Sequence, residues 1–162
     1  MEKVVVYKEN NYFWTSKNNY NILYKLGKVV GRRVIYSPEE VLYLIEKEKI
    51  IVKDGDKVID SKMEFLYTYK NNINIKKFLV LRRLRDVGYY VDIVPEGVLV
   101  HMKGERWNPI YLAVPYHEYE IIDWENILKH LESAKRYKSK LLLALIDIEL
   151  DIVFYEVLEL RF

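Results

Sequence analysis

The chain alternates short β-prone apolar runs with segments whose apolar residues recur at helical spacing. Val4 to Tyr7 is a β-prone run, Asn10-Asn11 is a turn signal, and Tyr12-Phe13-Trp14 resumes in β-prone residues. Ser16 is placed to cap a short helix through Ile22, Leu23 and Leu26 that Gly27 would end. Ser37-Pro38-Glu39-Glu40 is a stronger signal. Ser37 suits the N-cap, Pro38 the first helical position, and Glu40 completes a capping box. The helix that follows sets Val41, Leu44 and Ile45 on one face. Ile50-Ile51-Val52 reads as a strand broken by Asp54-Gly55-Asp56, and Ser61 as the cap of a helix through Met63, Phe65 and Leu66. The polar Lys70-Asn71-Asn72 is the expected boundary between two domains, residues 1–70 and 71–162.

In the second half, Ile75, Phe78, Leu79, Leu84 and Val87 recur at helical spacing until Gly88. Tyr89 to Val94 and Val98 to Met102 read as strands joined by Pro95-Glu96-Gly97. Lys103 to Pro109 is a polar turn and Ile110 to Val114 a buried strand. Asp123 is the expected cap of a helix whose apolar face is Trp124, Ile127, Leu128, Leu131 and Ala134. The continuous apolar run Leu141 to Ile146 predicts an interior strand, and Ile152 to Leu160 a final one. The order of elements predicts an α/β (α+β) fold with a mixed sheet covered by helices.

Composition narrows the functional classes. The 162 residues include no cysteine, which excludes disulfides, thiolate metal sites and cysteine nucleophiles. The three histidines, His101, His117 and His130, lack metal-ligand spacing, so neither a metal nor a cofactor is expected. A formal charge of +2 leaves any nucleic-acid role to local basic patches. No apolar run reaches the length of a membrane span, and the N-terminus lacks a signal-peptide pattern, so a cytoplasmic protein is expected. Lys76, Lys77, Arg82, Arg83 and Arg85 form one basic group, and Lys129, Lys135, Arg136, Lys138 and Lys140 another. Most are read as solubilising charge; Arg82, Arg83, Lys135, Arg136 and Lys138 are the candidates for phosphate contact.

Lys140 to Asp147 followed by Asp151 to Val157 resembles the C-terminal end of archaeal tRNA-splicing endonucleases, which have a Lys, an apolar strand with an Ala, an acidic turn and a strand with paired aromatics. Leu84-Arg85-Asp86-Val87-Gly88-Tyr89 is similar to the family's Leu-Arg-x-x-Gly-Tyr helix end, and Tyr111-Leu112-Ala113-Val114 to its central strand. Gly27-Lys28 and Ser37 to Leu44 resemble its N-terminal half, with Val41 where the family has Ala. The resemblance spans nearly the whole chain in the family's order. It implies a small N-terminal α/β domain and a C-terminal restriction-endonuclease-like domain with a mixed sheet flanked by helices.

The resemblance also implies a chemistry. The family cuts precursor tRNA at bulge-helix-bulge junctions without a metal, leaving a 2′,3′-cyclic phosphate and a 5′-hydroxyl. A Tyr acts as general base, a His as general acid, and a Lys steadies charge in the transition state. The stretch corresponding to the family's Tyr reads Val94-Pro95-Glu96-Gly97-Val98-Leu99 and has no Tyr. The family's His position falls on Asn108, three residues before Tyr111, and an amide cannot donate as an imidazolium does. The Lys falls on Lys140. His101 is read as an edge-strand or half-buried histidine in preference to a relocated general acid, and His117 and His130 as surface residues.

The resemblance therefore implies a structural, non-catalytic subunit, working with a catalytic endonuclease subunit in a two-plus-two heterotetramer on precursor tRNA. The alternatives are a catalytic homo-oligomer with relocated acid and base, and a nuclease-fold RNA-binding or scaffold protein. Asp147, Glu149 and Asp151 would form an acidic turn that docks on the partner, with Leu150 where the family often has Gly. Phe154, Tyr155, Leu158 and Leu160 would lie on a terminal strand that pairs with a counterpart, although packing within one subunit fits these residues nearly as well.

Overall fold

The computed structural model describes residues 2–158. Two mixed sheets and four α-helices make an α+β fold among these residues. The chain divides into two compact units, Met1–Phe78 and Leu79–Phe162.

The first unit is built on a six-stranded sheet. Its strands are β1 (Val4–Glu9), β2 (Tyr12–Ser16), β3 (Lys28–Val30), β4 (Arg33–Tyr36), β5 (Ile50–Asp54) and β6 (Lys57–Ile59). They lie in the order β3-β4-β2-β1-β5-β6, and β1 and β5 run parallel. Helices α1 (Pro38–Glu46) and α2 (Lys62–Tyr69) follow β4 and β6, and α3 (Ile75–Asp86) carries the unit boundary. Period-two alternation divides the sheet cleanly: Val6, Phe13, Thr15, Val34, Tyr36 and Val52 are buried, and their neighbours along each strand are more exposed. Phe13 meets Phe65 and Tyr69 of α2 at centroid distances of 5.6 and 5.3 Å, which locks helix to sheet.

The capping box forms as its residues require. Ser37 Oγ accepts from the Glu40 amide at 3.2 Å, and Glu40 Oε1 accepts from the Ser37 amide at 2.9 Å. The second carboxylate oxygen of Glu40 accepts from the Gly27 amide at 2.8 Å, so the cap also holds a segment ten residues upstream of Ser37. Gly27 has φ 84°, and a Cβ there would lie 2.8 Å from the Ile35 carbonyl oxygen. Every residue from Glu39 to Ile45 is buried, so α1 is enclosed well beyond the single expected face.

The expected helix from Ser16 to Leu26 is replaced by one 3-10 turn, Lys17–Asn19, capped by Ser16. Tyr24 and Lys25 then take φ of 63° and 54°, which ends helical continuation and turns Leu23 and Leu26 into the core. Strands β3, β4 and β6 were not separate expectations; each is short and completes the sheet around the longer ones.

The second unit holds β7 (Val91–Val94), β8 (Gly97–His101), β9 (Pro109–His117), α4 (Trp124–Arg136), β10 (Lys140–Ile146) and β11 (Ile152–Val157). The sheet order is β11-β10-β9-β8-β7, with β9 and β10 parallel across the α4 crossover. Asp123 caps α4 by accepting from the Asn126 amide at 2.8 Å. Leu112, Val114, Ala134, Leu141 and Leu143 form the core, with Leu131 against it. Trp124 and Leu128 were expected on that apolar face, but they are 68% and 46% exposed. The buried stripe of α4 is narrower than its apolar sequence suggests.

β9 extends past the expected Val114 to His117, because Leu145 and Ile146 of β10 supply partners for Tyr116 and His117. β11 ends at Val157, and the expected strand residues through Leu160 reach outside the described residues.

Two substitutions test this framework. Gly97 lies where β8 crosses β9, and a Cβ there would sit 2.3 Å from the Ala113 carbonyl oxygen, which is backbone and has little freedom to move. Gly97→Ala is expected to destabilise the chain by about 2 kcal/mol or more in chemical denaturation. Glu40→Ala strips acceptors from two backbone amides at a buried site, and a loss of about 3 kcal/mol is expected in the same measurement.

Candidate functional site

The parallel pairing of β9 with β10 sets Lys140 opposite Tyr111, so Asn108 and Lys140 stand at the same end of the sheet. A shallow cleft opens there, lined by Met102, Pro109, Ile110, Tyr111, Lys138 and Lys140. Asn108 is exposed in the turn before β9, and its amide nitrogen donates to Glu105 Oε2 at 2.9 Å. Lys140 is exposed, with its Nζ 3.8 Å from Glu156 Oε1 on β11. At that distance and exposure the pair constrains the ammonium little.

Basic side chains gather around this end. Lys135, Arg136 and Lys138 are exposed at and after the C-terminus of α4. Cations there are favoured by the helix dipole, which gives them a structural reason to exist apart from any ligand. Arg136 donates to Ser133 Oγ at 3.0 Å, and Lys138 lines the cleft in a left-handed turn, φ 54°. On α3, Arg83 is exposed and Arg82 half-buried.

His101, at the end of β8, is 3% exposed. Its Nε2 donates to Asp92 Oδ2 at 2.7 Å, and the same carboxylate accepts a two-pronged pair from the buried Arg106. His101 Nδ1 is buried with no hydrogen-bond partner. The imidazole is held inside the hairpin β7–β8 and tied to the following turn. Asp92 was not a candidate from sequence; it reaches His101 diagonally across the hairpin register, in which Val91 faces Val100. Without that register no sequence spacing joins positions 92, 101 and 106.

The other histidines depart from expectation. His117 ends β9 half-buried and stacks on Tyr119 at 5.1 Å, where a surface loop was expected. His130 is half-buried on α4, with Nε2 2.6 Å from the Tyr116 hydroxyl, and burial depresses its pKa. It points back onto β9, not out to solvent. Among the described residues no group of three His, Asp or Glu is placed to hold a metal ion.

The turn between β10 and β11 is organised by Asp147. Its Oδ1 accepts from the amides of Glu149 and Asp151 at 2.8 and 3.0 Å, which leaves the Glu149 and Asp151 side chains exposed. Leu150 takes φ 67° in this turn, a conformation that suits Gly better. On β11, Tyr155 and Val153 are exposed on one face and Phe154 is half-buried on the other. Leu158 is 66% exposed, and Leu160 lies outside the described residues. No helix among the described residues is long and apolar enough to cross a membrane.

The Asp92 cluster gives a pH test. Burial pushes the Asp92 carboxyl up, but hydrogen bonds from His101 and Arg106 and their charges outweigh it, so its pKa lies below the usual aspartate value. A depressed folded pKa contributes stability that is present above the unfolded value, about 4, and is lost as pH falls through the folded one. Asp92→Asn is expected to cost about 3 kcal/mol at neutral pH by removing the carboxylate that pairs with the buried Arg106. It should also flatten the loss of stability below about pH 4, read from denaturation midpoints across that range.

No family model matches the chain. Curated relatives match it along most of its length. A protein of Thermococcus kodakarensis named tRNA-splicing endonuclease is 27% identical over 157 residues, covering 93% of this chain and 94% of the relative. One of the same name from Pyrococcus furiosus is 28% identical over 135 residues, 81% of this chain and 79% of its own. A third, from Methanothermobacter thermautotrophicus, is 32% identical over 136 residues, 80% of this chain and 79% of its own. With a relative above 30% identity matched over most of both chains, and with the motifs falling on the strands and helices just described, this chain belongs to the tRNA-splicing endonuclease family.

Proposed function

We propose that the chain is the structural subunit of a heteromeric tRNA-intron endonuclease, supporting a catalytic partner that removes introns from precursor tRNA at bulge-helix-bulge motifs. The observation that carries this reading is Asn108. It immediately precedes Pro109, which lines the cleft, at the position where the family resemblance expects a general acid, and its side chain is an amide bonded to Glu105. Lys140 alone occupies a triad position, and a lysine without acid and base does not cleave RNA. The nearby imidazole of His101 is sequestered against Asp92, which opposes its use as a relocated acid.

The remaining surface fits assembly with that partner in a two-plus-two arrangement. Glu149 and Asp151 project from a turn whose backbone Asp147 holds, a rigid acidic knob suited to a basic cleft. β11 is the edge of its sheet and exposes Val153 and Tyr155, with Leu158 exposed just beyond its end. Lys135, Arg136 and Lys138 beside the cleft, with Arg82 and Arg83, are the phosphate-contacting candidates on precursor tRNA.

Cleavage of a bulge-helix-bulge RNA in EDTA, by this chain, a catalytic partner and their mixture, tests the reading. Activity is expected in the mixture and not in this chain alone; cleavage by the pure chain overturns the proposal. Lys140→Ala in this chain should change the mixture's rate by less than about threefold, whereas removal of a working acid–base group costs roughly a hundredfold or more. Glu149→Lys with Asp151→Lys should weaken assembly about tenfold or more in sedimentation, and the defect should shrink as salt is added.

A further inference from the structure

The outer face of the first unit's sheet carries an ordered row that the function above does not use. Strand register aligns Lys28, Ile35, Trp14, Tyr7 and Lys53 side by side across β3, β4, β2, β1 and β5. Residues paired across strands point to the same face, so this is one continuous band opposite the helices. At sheet spacing the band is roughly 19 Å long. Tyr7 and Trp14 stack at 4.9 Å with planes 30° apart, and the Arg33 guanidinium lies 3.7 Å from the Trp14 ring centre. Tyr7 is 40% exposed, and both lysines are exposed and form no ion pair among the described residues. Glu9 is the anion on this face, bound to Arg33 at 3.0 Å, which fixes the guanidinium over the indole.

We infer that this aromatic and cationic band binds unpaired nucleotides of the RNA, with bases stacked on Tyr7, Trp14 and Arg33 and phosphates held by Lys28 and Lys53. The inference rests on the chain's acting on RNA, as its family membership and proposed function require. Flat rings and a guanidinium plane accept any base face, and a strand face is where such stacking is geometrically open. The flanking lysines distinguish this face from a site for an apolar protein surface, although Val58 of β6 follows Lys53 in register. An apolar partner would bury two uncompensated ammonium groups flanking the aromatic stack, whereas a polyanion neutralises both. The band is sequence-tolerant by construction, since the row presents no carboxamide or carboxylate to read base edges.

The test is anisotropy of a labelled single-stranded oligouridine of about a dozen nucleotides, titrated with the full chain over a range of salt. Lys28→Glu with Lys53→Glu, both on exposed side chains, should lower affinity at least about fivefold and flatten the log–log salt slope by about 1.4. Trp14→Leu keeps the apolar cover and removes the stack; it should lower affinity at least about fivefold with the slope unchanged. Circular dichroism checks that each variant folds, and the lysine pair carries the test if Trp14→Leu does not. No oligouridine binding by the parent chain, or equal affinity and slope in the lysine variant, overturns the inference. Unchanged oligouridine binding with weakened assembly with the catalytic partner also overturns it and makes the face a protein interface. Cleavage by the mixture, measured in parallel, reports on the structural-subunit reading separately: an active mixture without oligouridine binding sinks the band alone, and an inactive mixture with a salt-dependent band sinks the subunit role alone.

Discussion

The parallel pairing of β9 and β10 is the constraint on which the site depends. Parallel neighbours need a long crossover, and α4 supplies it, so the two strands begin at the same edge of the sheet. That geometry gathers Pro109, Tyr111, Lys138 and Lys140 at one cleft, with Asn108 next to Pro109 in the chain, although they come from distant parts of the sequence. The same crossover places the basic end of α4 beside the cleft, where the helix dipole favours cationic side chains.

Around that frame, two carboxylates, the buried Glu40 and the half-buried Asp92, do similar structural work by different routes. Glu40 satisfies backbone donors at Ser37 and Gly27, and so joins a helix start to a glycine turn. Asp92 satisfies His101 and Arg106, and so joins a hairpin to the turn that precedes β9. Each is tolerated away from bulk water because both of its oxygens accept hydrogen bonds. The consequence for function is indirect. The Arg106 pair holds the turn bearing Asn108, while the histidine nearest the cleft is consumed in holding it.

Much of this was legible where local chemistry decides structure. Ser37-Pro38-Glu39-Glu40 and Asp123 specify helix starts through bonds within four residues, and the apolar run at Leu141 has the length and character of an interior strand. Ser16 carried the same kind of signal and misled, because the residues after it take left-handed conformations that propensity does not register. β3 and β6 span three residues each, too few for alternation to declare itself. In the site, Lys140 and Asn108 were visible because a family pattern gave them positions. The Asp92, His101 and Arg106 cluster and the Tyr7, Trp14 and Arg33 stack were not, because both exist only once strand register is known. Trp124 shows the reverse error: helical spacing says which residues share a face, not how wide the neighbouring sheet is.

β11 also bears on how the protein fares before assembly. It is the last strand of its sheet, and its outer edge offers a row of backbone donors and acceptors with Val153 and Tyr155 standing beside them. Glu156 is the charge within the strand that could guard that edge, and it leans toward Lys140. On the proposed heteromeric reading, a chain made in excess of its partner would present a template for self-pairing and precipitation. Matched synthesis of the two subunits would then protect solubility as well as composition.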